Sequence, residues 1–107
     1  MAKNGRFRHK DVLVESPPDV VALADAVESR FIELCGMFYR MHGVELVPPK
    51  DFDSDMFLWR KMRLRHKRGD FRHTRDEQLA TRRIAEWTLR ENAKLKNQPY
   101  EPVQWKD

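Results

Sequence analysis

Cysteine is almost missing from the sequence, since Cys35 is the only one among 107 residues. A single thiol cannot form a disulfide within the chain, and it cannot supply the cysteine pairs of a zinc site. No apolar run is long enough for a secretory signal peptide or a transmembrane span, so we expect neither. These features favour an intracellular protein, either cytoplasmic or from an organelle matrix if the source is eukaryotic.

Catalytic patterns are missing as well. No set of residues has the nucleophile, base and orienting group of a covalent enzyme. Asp51, Asp53 and Asp55 are better explained by a turn and a helix start than by acid–base catalysis. Cys35 lies on an apolar helical stripe, where we expect a buried small residue and not a reactive thiol. The sequence therefore predicts a protein that is not an enzyme and that holds no cofactor or metal ion.

His66, Asp70 and His73 have the spacing of metal ligands on one helical face. Gly69 is expected to end the helix between them, and the neighbouring arginines repel a cation. We expect the two histidines instead to add to the local positive field when they are protonated.

Charged residues make up 36% of the chain and apolar residues 40%. The charged share is well above the roughly 25% that is usual for globular domains, so we expect only a small core. Three Trp, six Phe and two Tyr argue against disorder, because aromatic side chains bury large areas.

The clearest periodic segment predicts a long first helix from about residue 17 to residue 42. Ser16 is the expected cap at its start, and Gly43 is the expected cap at its end. The main apolar stripe contains Val20, Ala24, Val27, Phe31, Leu34, Phe38 and Met41. A thinner second stripe contains Val21, Ile32 and Tyr39.

Two further helices are predicted. The second begins after a cap at Asp53 or Ser54 and runs to about residue 68, where Gly69 ends it. The third begins at a capping box, in which Thr74 is followed three residues later by Glu77, and runs to about residue 96.

The predicted fold class is all-α: a three-helix domain with a long first helix and extended N- and C-terminal tails. Residues 1–15 form a basic extended arm, residues 16–97 the helical domain, and residues 98–107 the extended C-terminal tail. Within the arm, residues 11–14 are either a short strand or a segment that docks on another surface.

The second helix has an unusual pattern with two apolar ridges. One ridge contains Leu58, Trp59, Met62 and His66, and the other contains Phe57 and Leu64. Two basic flanks separate them: Arg60, Arg63 and Lys67 on one side, and Lys61, Arg65 and Arg68 on the other. A surface helix needs only one apolar ridge, so this helix either lies between two layers or offers its second ridge to a partner.

Residues 60–75 hold eight basic residues and one acidic residue, whereas the chain as a whole has a net charge of only +4. The eight are Arg60, Lys61, Arg63, Arg65, Lys67, Arg68, Arg72 and Arg75. Basic residues at this density neutralise phosphates, so we expect all eight, with Arg6, Arg8 and Lys10, to contact the backbone of RNA or DNA. The expected setting is a ribonucleoprotein, a phage or mobile-element protein, or a regulatory complex.

The sequence also allows several alternatives. The basic segment can contact an acidic protein surface or anionic lipid headgroups, or it can form an internal salt-bridged layer. The second ridges favour a small accessory subunit of a larger organellar or virion assembly. The long stripe of the first helix also allows a coiled-coil homodimer.

Overall fold

Residues 12–102 are described in the computed structural model, and they form three helices joined by short connections. The helices are α1 (Pro18–His42), α2 (Asp53–Lys67) and α3 (Arg75–Leu95). Two short strands, β1 (Val14–Glu15) and β2 (Arg72–His73), pair in antiparallel register, with Val14 opposite His73. The all-α class and the long first helix are therefore confirmed. Residues 1–11 and 103–107 of the predicted tails lie outside the described residues.

The helix ends follow the local signals at three positions. Gly43 has φ 72°, and its N–H donates to the Tyr39 carbonyl, which closes α1. Gly69 has φ 87° just beyond α2. Glycine adopts this left-handed conformation at little cost, so both residues suit these ends. At the start of α3, the Glu77 N–H donates to Thr74 Oγ1 and the Thr74 N–H donates to Glu77 Oε1, which confirms the capping box.

Two predicted caps are wrong. α1 begins at Pro18, so its N-cap residue is Pro17, whose side chain has no hydrogen-bond acceptor, and the Ser16 hydroxyl lies against His73 instead. Neither Asp53 nor Ser54 caps α2. A 3-10 turn (Lys50–Phe52) leads directly into that helix, and the Asp53 N–H donates to the Lys50 carbonyl. The backbone of the turn thus satisfies a donor that a capping side chain normally satisfies.

Contacts between the helices fix their directions. Arg65 pairs with Glu77 and Arg83 pairs with Asp55, so α2 runs antiparallel to α3. Asn92 reaches the Arg30 carbonyl and Lys96 reaches Glu33, so α1 runs parallel to α3. The domain is an up-down-up arrangement in which α2 packs antiparallel to the other two helices.

The core lies between the three helices and is small. It contains Val27, Met56, Trp59, Ile84 and Ala85, with Leu23, Phe31 and Phe52 packed against it. Phe31 meets Trp59 edge to face at a centroid distance of 5.7 Å. The main stripe of α1 is buried at Val20, Ala24, Val27 and Leu34. That part of the stripe is used within the chain, so it does not offer a free seam for a coiled-coil homodimer.

None of the helices in residues 12–102 is both long and apolar enough to span a membrane.

Candidate functional site

The outer face of α2 is the main candidate surface. Phe57 is 64% exposed and Leu64 is 56% exposed, and they lie two turns apart on one side of the helix. Trp59, Met62 and His66 are buried on the opposite side. One of the two apolar ridges therefore builds the core, while the other faces solvent.

The flank of α2 next to α1 supplies two cations to ion pairs. The Arg63 side chain is only 9% exposed, and its Nη2 lies 2.9 Å from Asp25 Oδ1 and 3.1 Å from Glu28 Oε1. Lys67 Nζ lies 2.9 Å from the other Glu28 oxygen. Hydrogen bonding from Lys67, with further help from Arg63, lowers the pKa of Glu28 against the opposing effect of burial. These pairs hold α2 against α1.

The flank next to α3 is held by a buried bidentate pair. Arg65 donates to both carboxylate oxygens of Glu77 at 2.8 and 2.9 Å, and it also donates to the Arg72 carbonyl. The Glu77 side chain is only 2% exposed. Burial raises the pKa of Glu77, but the hydrogen bonds from Arg65 and from the Thr74 backbone outweigh it, so the net pKa is lowered. The carboxylate is thus the ionised partner of a structural pair.

The structure divides the eight predicted site residues into two equal groups. Arg63, Arg65, Lys67 and Arg72 are in ion pairs, the last with Asp70 at 2.7 Å. The other four, which we call the outward cations, are Arg60, Lys61, Arg68 and Arg75. They are exposed, and they form no ion pair or side-chain hydrogen bond within residues 12–102. The three N-terminal basic residues Arg6, Arg8 and Lys10 lie outside the described residues.

Both predicted histidines are buried beside Ser16, where β1 meets β2. Ser16 Oγ lies 2.7 Å from His73 Nδ1 and 3.3 Å from His66 Nε2. Burial, followed by the nearby Arg63, lowers the pKa of His66, and burial also lowers the pKa of His73. Burial favours the neutral form of both rings, which acts against their predicted contribution to the positive field. Asp70 pairs with Arg72 instead, and within residues 12–102 no three ligand-type side chains are grouped to hold a metal ion.

Two other nucleophilic groups show no sign of activation. The Ser16 hydroxyl is buried together with both rings, so a substrate has no access to it. Burial raises the pKa of the Cys35 thiol, with Glu45 adding to the effect. A protonated thiol is a weak nucleophile.

A groove of about 320 Å³ lies between α1 and α2. Its lining consists of Glu28, Phe31, Ile32, Trp59, Arg60, Arg63, Leu64 and Lys67. Ile32, from the second stripe of α1, is 65% exposed, and Leu64 comes from the second ridge of α2. The sequence indicated each of these apolar lines separately. It contained no signal that they meet at one groove, because this depends on how the two helices pack.

Comparisons of the chain with protein-family models, curated proteins and solved structures gave no match.

Proposed function

We propose that the protein is a non-catalytic binding protein that contacts the phosphate backbone of a nucleic acid through the outward cations. The observation that carries the proposal is that Arg60, Lys61, Arg68 and Arg75 are exposed and unpaired within residues 12–102. Cations that are free of carboxylate partners are available to replace the counterions of a polyanion.

The arrangement along α2 suits contact with several phosphates. Arg60 and Arg68 are about 12 Å apart along the helix axis, a length over which duplex DNA carries roughly seven phosphate charges. The exposed Phe57 lies on the same face and offers a ring on which an unpaired base can stack. Such contacts position a nucleic acid without reading many bases, so sequence preference is low.

The test is a salt titration of binding to a fluorescent DNA duplex. If each of the four outward cations contacts one phosphate, together they contribute about −3.6 to the slope of the logarithm of the affinity against the logarithm of salt concentration. If all eight basic residues of the segment bound phosphates, their contribution would be about −7.2. Failure to bind at low salt, or a flat slope, would reject the proposal.

A variant pair connects the slope to particular residues. Replacing Lys61, Arg68 and Arg75 together with Gln is expected to make the slope shallower by about 2.7, since three phosphate contacts are removed. The control is Arg90→Gln, which removes an exposed cation about 22 Å along α3 from Arg75. The control is expected to keep the original slope.

A second candidate function is an accessory subunit of a larger protein assembly. It is supported by the number of large apolar side chains on the surface, which include Ile32, Tyr39, Met41, Val44, Val47, Phe57 and Leu64. Exposed apolar patches of this kind mark protein-contact surfaces. Sedimentation of the isolated chain tests this role. A well-folded monomer that shows no self-association and no binding of the apolar dye ANS would argue against it.

A further inference from the structure

We propose that the groove between α1 and α2 docks the apolar face of an acidic amphipathic helix from a partner protein. This inference rests on the second candidate function and names the partner's chemistry. The two proposals share Arg60, but Ile32 and Leu64 are apolar and are assigned only to the docked helix, so variants at these two positions separate the proposals.

The shape and the apolar surface fit a helix. Two antiparallel helices flank the groove, and each contributes an exposed aliphatic side chain to it, Ile32 from α1 and Leu64 from α2. The apolar lines also extend beyond the groove. Tyr39 lies two turns from Ile32 along α1, and Phe57 lies two turns from Leu64 along α2, which adds about 10 Å in each case. Such a length suits the stripe of a docked helix better than a single small molecule.

The charges around the groove favour an acidic partner. Its lining carries three cations and one carboxylate, Glu28, and that carboxylate is already shared by Arg63 and Lys67. Arg60 lines the same groove without a carboxylate partner in the described part of the chain. An acidic residue beside the apolar stripe of the partner would pair with Arg60. Complementary charge of this kind selects between partners that have the same apolar face.

The experiment uses the full chain and two synthetic helical peptides of about 18 residues, which is above the length of about 12–15 residues below which isolated helices are marginal. Both peptides carry the same leucine stripe, and the stripe is flanked by Glu in one peptide and by Lys in the other. Calorimetry is expected to show binding of the Glu peptide about tenfold tighter than that of the Lys peptide, equivalent to about 1.4 kcal/mol. In an Arg60→Glu variant, the preference is expected to reverse.

Apolar contact is tested with Ile32→Asp and Leu64→Asp. Each substitution is expected to reduce the affinity for the Glu peptide at least tenfold. Both positions are exposed, so the fold should survive, and circular dichroism checks this. The control is Val47→Asp, at a position 79% exposed that does not line the groove, and it should bind the Glu peptide normally.

Three results would overturn the inference: no binding of the Glu peptide at millimolar concentration, equal binding of both peptides, or equal loss with Val47→Asp. DNA binding that is lost in Ile32→Asp would also overturn it, because a nucleic acid would then occupy the groove. The nucleic-acid proposal is tested by the salt titration with DNA, which contains no peptide, so failure of one proposal can be told from failure of the other.

Discussion

Glu77→Gln provides a direct test of the role assigned to the basic segment. The substitution keeps the size of the side chain and an oxygen that can still accept from the Thr74 N–H, so the capping box is retained. It removes the negative charge that Arg65 contacts with two nitrogens at 2.8 and 2.9 Å. The change therefore isolates the buried ion pair from the helix cap.

The expected magnitude follows from burial. Removing one member of a buried ion pair costs about 3–5 kcal/mol, because the other charge is left without compensation. The Arg65 side chain is 15% exposed and keeps its bond to the Arg72 carbonyl, so we expect a loss near the lower limit, about 3 kcal/mol. A small domain has a total stability of about 5–15 kcal/mol, so this loss is a large fraction of it.

Urea unfolding followed by tryptophan fluorescence measures the effect. With a urea dependence of about 1.5 kcal/mol per molar, the midpoint should fall by about 2 M. The control is Glu91→Gln on the same helix, which removes an exposed pair with Lys94 and should cost about 0.5 kcal/mol or less. If Glu77→Gln lowers the free energy of unfolding by no more than Glu91→Gln does, the basic segment of residues 60–75 is not held to α3 by the Arg65–Glu77 pair.

Two further outcomes are expected at the buried histidines. The pKa of His66 and His73 is lowered in the folded protein, so their contribution to stability is complete above the unfolded pKa of about 6.5 and is lost as pH falls through the folded pKa. The urea concentration at the unfolding midpoint should therefore decrease as the pH is lowered from 7.5 to 5.5. A His66→Gln, His73→Gln double variant should lose much of this dependence, whereas His42→Gln should retain it. Ser16→Ala removes the hydroxyl that lies 2.7 Å from His73 Nδ1 and should cost about 1–3 kcal/mol. Ser29→Ala, at an exposed position, should stay within about 0.5 kcal/mol of the parent, and equal losses in both variants would show that the Ser16 contact is unimportant.

The helices could be predicted because their limits are set by local chemistry. Gly43 and Gly69 end α1 and α2 through a backbone conformation that other residues rarely adopt. Thr74 and Glu77 begin α3 through bonds that span three residues. Ser16 was assigned wrongly because its actual partners, His66 and His73, are 50 and 57 residues away, and no local pattern reports such a distance.

The position of the candidate site could be predicted from the sequence, but which of its basic residues form ion pairs could not. The two ridges and two flanks of α2 follow from helical spacing alone. Which cations are free depends on carboxylates elsewhere, since Arg63 meets Asp25 and Glu28 on α1, and Arg65 meets Glu77 on α3. Density of charge in a sequence therefore overestimates the surface that is available to a partner.

The separation between paired and outward cations means that the net charge of this protein can be changed independently of its fold. Neutralising Arg60, Lys61, Arg68 and Arg75 would bring the formal net charge from +4 to zero without breaking a single ion pair within residues 12–102. A protein with no net charge loses the mutual repulsion that keeps its molecules apart in solution. Neutralising the outward cations is therefore expected to promote self-association through the exposed apolar side chains while leaving the fold unchanged.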